Sequence, residues 1–179
     1  MILNQNLSCN QMEEWLLVRI RRNENLPRNQ KPDELDFKIL RELQVDCRIP
    51  LQEIADKVGA PTSTVHYRVK RLEREGVIDG YYANVNAEKL GYDYLAVIMV
   101  HAAYGPGYHE RIGKKLAKIP GVWAVYFTLG ENDFFVLTRS QDKADYMKIL
   151  DALMSTKGIE RTSTQVVVRV IKENPKLDI

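Results

Sequence analysis

Residues 51–75, LQEIADKVGAPTSTVHYRVKRLERE, decide the fold of the N-terminal half. Leu51, Ile54, Ala55 and Val58 recur at helical spacing, so one face of a first short helix is apolar. Gly59 follows where a helix end favours a left-handed residue. Pro61 then stands where proline suits the first position of a new helix. Val65, Val69 and Leu72 form a second apolar stripe. Two amphipathic helices joined by a short glycine-containing turn make a helix-turn-helix, whose second helix is built to enter the DNA major groove.

The outer face of that second helix is polar and cationic. At about 100° per residue, Ser63, Tyr67, Lys70 and Arg74 point away from the apolar stripe, flanked by Thr64, His66 and Arg71. Bases are read by hydrogen bonds and phosphates are held by Lys and Arg. The start of a recognition helix reaches the bases. Thr62, Ser63, Thr64, His66 and Tyr67 are therefore expected to read bases, and Lys70, Arg71 and Arg74 to bind phosphate. Arg68 sits nearer the stripe, with a partly structural role beside DNA binding. The competing reading is an ordinary solvated helix face. Residues 1–80 carry 13 Lys/Arg and 13 Asp/Glu, whereas 61–74 carry Arg68, Lys70, Arg71 and Arg74 against Glu73, so the basic character is local to the helix.

Working outward, Asp33 and Asp36 form a capping-box-like pair ahead of a helix over 34–45, with Ile39, Leu40 and Leu43 inward. Val77–Ala83 alternates loosely and predicts a strand or wing, and 84–92 a connector. Beyond it, Tyr94–Tyr104 reads as strand and Tyr108–Lys118 as helix with Ile112 and Leu116 inward. Val122–Leu129 and Phe134–Arg139 are strands around Gly130-Glu131-Asn132-Asp133. Asp142–Thr156 is a helix presenting Tyr146, Ile149, Leu150 and Leu153, and Ile159–Lys172 is a last strand centred on Val166–Val168. The fold class is α+β: a winged helix-turn-helix, then a ferredoxin-like βαββαβ domain. In LAVIMV at 95–100 both alternate faces are apolar, as they are in 122–127 and 134–137. Helices cover one face of such a sheet, so a second subunit is expected on the other, giving a two-fold homodimer.

Residues 33–92 resemble the N-terminal half of the Lrp/AsnC, or feast/famine, family of transcription regulators. The resemblance rests on Asp36-Phe37-Lys38-Ile39-Leu40, Leu43-Gln44, Asp46-Cys47-Arg48-Ile49 and Ile54-Ala55-Asp56-Lys57-Val58-Gly59. It continues in Ser63-Thr64-Val65, Arg68-Val69-Lys70-Arg71-Leu72-Glu73, Gly76-Val77-Ile78, Gly80-Tyr81 and Leu90-Gly91. The βαββαβ order resembles that family's effector-binding and oligomerisation domain. The chain departs from the family pattern at Pro61, where a Ser is usual, at Cys47, where a small residue is usual, and in the stretch ahead of Asp33.

The resemblance implies a sequence-specific regulator tuned by an amino acid or related effector bound at subunit contacts, as a homodimer, a tetramer or an octamer. The loop Gly130-Glu131-Asn132-Asp133 matches the family's G-x-x-D. Gly130 permits close backbone approach, neighbouring amides suit a carboxylate, and Asp133 suits an ammonium. Thr162, Ser163 and Thr164 offer hydroxyls and Tyr104 closes one side. The competing reading of the loop is a β-turn using Gly and Asn for its geometry. Two rival functions stand beside this one: an architectural nucleoid-type DNA-binding protein of low specificity, and a metabolite-binding oligomeric module.

Composition sets the outer limits. The chain has 179 residues, enough for one or two small domains, with 45% hydrophobic and 28% charged residues, which is ordinary for a globular protein. No apolar run approaches the roughly 18 residues that span a membrane. The expectation is a cytoplasmic, nucleoid-associated protein without membrane partners. Cys9 and Cys47 form neither a disulfide framework nor a zinc motif. His66, His101 and His109 lack metal spacing, and no catalytic constellation or cofactor motif is present, so no enzyme is expected. Residues 1–32 form an N-terminal extension. Met12–Arg22 is expected to be a short helix packing on the DNA-binding domain or its partner; a tail, or an arm placing Arg19, Arg21 and Arg22 on phosphates, is the alternative.

Overall fold

Asp33 starts the first helix, α1 (Glu34–Val45), through a reciprocal pair of bonds. Its carboxylate accepts from the Asp36 amide at 3.0 Å, and the Asp36 carboxylate accepts from the Asp33 amide at 2.9 Å. Two otherwise orphaned helix-start donors are satisfied at once. The computed structural model describes residues 31–179, so the expected helix at Met12–Arg22 lies outside the described residues. The chain divides into two compact units, one running to Ala83 and taking in Pro175–Ile179, the other spanning Asn84–Asn174.

In the first unit, α2 (Leu51–Val58) ends at Gly59 with φ 68° and ψ 39°, the left-handed geometry that glycine adopts without Cβ strain. Helix α3 (Thr62–Arg74) begins one residue later than the sequence suggested. Pro61 has ψ 141°, so it caps rather than joins the helix, and its carbonyl accepts the Thr64 and Val65 amides at 2.9 and 3.0 Å. Ile39, Ile54, Ala55, Val65, Val69 and Leu72 form the buried centre. Gln44 on α1 exchanges two hydrogen bonds with the Leu177 backbone, at 3.1 and 2.7 Å.

The strand or wing expected at Val77–Ala83 does not form a ladder. The Val77 and Ile78 amides both return to the Leu72 carbonyl, at 2.9 and 3.1 Å, which terminates α3 instead of starting a strand. Ile78 packs on the helical core, and no strand pairs with the segment among the described residues. An isolated extended segment has no ladder to satisfy its backbone, so it stays irregular.

The second unit contains β1 (Tyr94–Ala102), α4 (Tyr108–Leu116), β2 (Val122–Phe127), β3 (Phe134–Ser140), α5 (Lys143–Met154) and β4 (Ile159–Val166). The strands form one antiparallel sheet in the order β2-β3-β1-β4, the arrangement expected of βαββαβ. Ala96, Ile98, Val100 and Ala102 of β1 and Phe134 and Val136 of β3 face Ile112 and Leu116 of α4 and Tyr146 and Leu153 of α5. The alternate residues lie on the other face. Cross-strand register lines up Tyr126, Phe135 and Met99, and beside them Ala124, Leu137 and Val97. This open face is apolar at its middle, with Val97, Met99, Ala124, Phe135 and Leu137 half-buried and Tyr126 exposed.

The last strand is shorter than expected. Ala96 is the partner of Val166, and Val167 adds one more bond to the Leu95 carbonyl at 2.9 Å. Strand β1 begins at Tyr94, so the chain beyond Val167 runs out of ladder. Val168 is accordingly 99% exposed.

Candidate nucleic-acid interface and effector loop

Helix α3 presents Ser63, His66, Tyr67, Lys70 and Arg74 to solvent, with Thr62 and Thr64 half-buried at its start. The opposite face is fixed by Val65, Val69 and Leu72 in the core. The helix is thereby rigidly seated and its outer surface free. The Thr62 hydroxyl donates to Gln52 Oε1 at 2.6 Å, tying the first residue of α3 to α2. Lys70 Nζ lies 2.8 Å from Glu73 Oε2, and Glu73 also accepts from the Tyr81 hydroxyl at 3.0 Å. The Lys70 bond pulls the Glu73 carboxyl below its usual range. Burial, then the Glu73 bond, pushes the Tyr81 phenol up to about 12. The Lys70–Glu73 pair is solvent-exposed and weak, so an incoming phosphate can take the lysine from it.

Two cations expected at DNA behave otherwise. Arg71, assigned to phosphate by its position on the helix, is only 7% exposed and pairs with Asp36, which is fully buried. Its Nε also approaches Glu75 at 3.8 Å. Arg68 lies 2.5 Å from Asp33 and 3.3 Å from Asp36. The reason is Asp36 itself. It stands in the apolar stripe of α1 between Leu35 and Ile39, and a buried carboxylate must be paired. Arg68 and Arg71 turn back to meet it. Hydrogen bonding to the Asp36 amide, then to Arg68, lowers Asp33 from 3.8 to about 2. Together these groups fasten α3 to the start of α1.

The loop of the second unit is also more structural than its residues suggested. Asp133 is 6% exposed. Its carboxylate accepts from the Ala102 amide at 2.8 Å and from the Tyr108 hydroxyl at 2.9 Å. Burial, then the Asp133 bond, pushes the Tyr108 phenol up to about 12. Asp133 therefore joins the end of β1 to the start of α4. Its amide donates to the Val100 carbonyl at 2.9 Å, and the Asn132 carbonyl accepts from the Thr128 hydroxyl at 2.7 Å. Gly130 has open space where a Cβ would sit, and Glu131 is exposed. Tyr104 is 83% exposed, its ring 5.1 Å from that of Tyr108.

Strand alternation divides the three hydroxyls of β4. Thr162 and Thr164 oppose Val100 and Ile98 on the helix-covered side, and Thr164 accepts from the Tyr146 hydroxyl at 2.9 Å. Ser163 opposes Met99 on the open face. The fold thus brings Tyr104, Gly130, Glu131, Asn132 and Asp133 to one end of the sheet without gathering all three hydroxyls on one side.

Sequence reasoning read Asp36 only as a capping residue, and gave Gln52 and Tyr108 no role at the site. Asp36 had a signal: a carboxylate within an apolar helical stripe calls for buried cations. Gln52 meets Asp56 one helical turn on and Thr62 across the turn, whereas Tyr108 matters through Asp133, 25 positions later, which no local pattern marks. Among the described residues no group of three or more His, Cys, Asp or Glu could hold a metal ion, and no helix is long and apolar enough to cross a membrane.

Comparison with known proteins places both units. Residues 32–79 match a winged helix-turn-helix DNA-binding model, and residues 95–177 match the Lrp/AsnC ligand binding domain. The HTH-type transcriptional regulator FL11 of Pyrococcus furiosus is 38% identical over 147 residues, covering 82% of this chain and 96% of that protein. An AsnC family transcriptional regulator from Agrobacterium tumefaciens superposes with a TM-score of 0.76 at 25% identity, covering 82% of this chain and 96% of that one. A transcriptional regulator from Neisseria meningitidis, solved as a complex with L-methionine, gives a TM-score of 0.74 at 26% identity, with the same coverage. With its helix-turn-helix, its ligand-binding fold and these relatives, the chain belongs to the Lrp/AsnC family of DNA-binding transcription regulators.

Proposed function

We propose that the chain regulates transcription as a homodimer whose α3 helices enter successive major grooves and whose second unit, Asn84–Asn174, answers to an amino acid. Residues 33–80 serve as the DNA-binding domain, 81–93 as the connection, and 94–179, less the Pro175–Ile179 segment that joins the first unit, as the effector and oligomerisation domain. Thr62, Ser63, Thr64, His66 and Tyr67 read bases, while Lys70 and Arg74 hold phosphate. Arg68 and Arg71 position the helix. The observation that carries this reading is a recognition helix seated by a buried core and a buried ion pair, with five exposed polar or cationic side chains outward. Dimerisation uses the open sheet face around Val97, Met99, Phe135 and Leu137, whose apolar surface needs a cover. Higher assembly builds on that dimer.

The effector binds at the Gly130–Asp133 loop. The ligand-binding family match and the neighbour solved with L-methionine support an amino acid as the ligand of this unit. Asp133 is already committed to Ala102 and Tyr108, so its part is to hold the loop in shape. The exposed Glu131 is the carboxylate placed to meet an ammonium. Footprinting on the DNA upstream of the protein's own gene, with and without a panel of amino acids, tests the whole reading. A short periodic footprint altered by one amino acid is the expected result. Extended protection indifferent to sequence and to amino acids would replace it with the architectural reading.

A further inference from the structure

Gln52, the second residue of α2, sits between two polar partners. Its Nε2 donates to Asp56 Oδ1 at 3.2 Å, and its Oε1 accepts from the Thr62 hydroxyl at 2.6 Å. An ionised carboxylate only accepts. Asp56 therefore draws the NH2 side of the Gln52 amide to itself and leaves the carbonyl facing Thr62. A hydroxyl opposite a carbonyl oxygen has to donate. The one proton of Thr62 is thus turned inward to Gln52, and the side chain presents oxygen lone pairs and a methyl group outward.

We infer that Asp56 and Gln52 set the hydrogen-bond polarity of Thr62, and through it which bases the start of α3 accepts. The inference rests on Thr62 belonging to the base-reading set. In the major groove adenine and cytosine each offer an amino donor, whereas guanine offers only the acceptors N7 and O6. A threonine whose proton is committed can accept from adenine or cytosine but has nothing to give guanine. Gln52 and Asp56 are positioning residues here and touch no base. Docking on DNA removes water from the Asp56–Gln52–Thr62 chain, which strengthens each of its bonds.

The test is selection of bound duplexes from a random pool by the full chain, with Asp56→Asn, Gln52→Ala, Thr62→Val and Tyr67→Ala beside the unaltered protein. The unaltered motif should contain a position where guanine is disfavoured by about tenfold against adenine or cytosine. Asp56→Asn can present an N–H, which lets the Gln52 amide turn over. It should erase the guanine discrimination at that position alone, leaving the rest of the motif and the salt slope unchanged. Gln52→Ala should do the same, and Thr62→Val should lose the preference for adenine or cytosine there. Motifs identical to the unaltered one from both Asp56→Asn and Gln52→Ala would overturn the inference. So would an affinity loss uniform over all sequences with a smaller salt slope, the mark of phosphate contact. A motif indifferent to Thr62→Val but erased by Tyr67→Ala would refute the relay while leaving base reading by α3 intact. A pool with no motif at all would instead remove the base-reading assignment on which it rests.

Discussion

Replacing Arg71 by alanine separates a structural arginine from a DNA-binding one. Arg71 is 7% exposed and its partner Asp36 is fully buried. Removing one partner of a buried ion pair leaves the other charge uncompensated, at about 3–5 kcal/mol. Arg68 remains 3.3 Å from Asp36, which puts the loss near the lower end, about 3 kcal/mol. With a urea slope of roughly 1–3 kcal/mol per molar, the midpoint of the N-terminal unit should fall by about 1–3 M. Lys70→Ala, on the exposed side of the same helix, should change stability by no more than about 0.5 kcal/mol. That variant should instead weaken DNA binding evenly across sequences and reduce the salt slope by about one. The assay is urea unfolding of the full chain, with hydrogen exchange locating the loss in α1 to α3. A third variant, Asp36→Leu with Arg71→Leu, removes both charges and should recover most of the stability. The reasoning is refuted if Arg71→Ala unfolds at the same urea concentration as the unaltered protein while its salt slope drops by about one.

Asp33 carries an acid prediction. Its folded value of about 2 lies below the ordinary 3.8, so the stability it contributes is present above about pH 4 and lost as pH falls through 2. Asn caps helices as well as Asp does, so the gap in melting temperature between the unaltered protein and Asp33→Asn should close from pH 4 to 2; a constant gap would count against the Arg68 pairing. Tyr108 has the opposite sign for an acid held neutral. Its folded value is about 12 against 10, so its contribution is present below about pH 10 and lost as pH rises through 12. Phenolate absorbance should show Tyr108→Phe missing one group that titrates near 12, and a missing group near 10 would contradict the Asp133 bond. Leu137→Asp places a carboxylate in the middle of the open sheet face and should convert the proposed dimer to a folded monomer by sedimentation; an unchanged mass would count against dimerisation through that face.

The parts of the fold legible in the sequence were those written in short-range chemistry. Asp33 and Asp36 announced the start of α1, and Gly59 the end of α2. The run of β1, apolar on both alternate faces, gave the strand but not which of its faces the helices cover. What failed depended on partners distant along the chain. Val166-Val167-Val168 has the composition of a strand, but a ladder extends only as far as its neighbour, and β1 starts at Tyr94. The segment after Gly76 alternates, yet nothing pairs with it among the described residues. At the site, helical spacing gave the direction of Arg71 but not its destination. A long side chain near the edge of an apolar stripe bends toward whichever charge is nearest, and that charge was a buried carboxylate 35 positions earlier.

The buried pairing of Asp36 also divides the recognition helix into two sets of residues with separate duties. Asp36, Arg68 and Arg71 hold the helix against the rest of the domain, while Ser63, His66, Tyr67, Lys70 and Arg74 make no contribution to the core. The second set can therefore change during divergence without unfolding the protein. If Ser63, His66 and Tyr67 read bases as proposed, a duplicated copy of such a regulator can acquire a new operator by altering those positions on an unchanged frame.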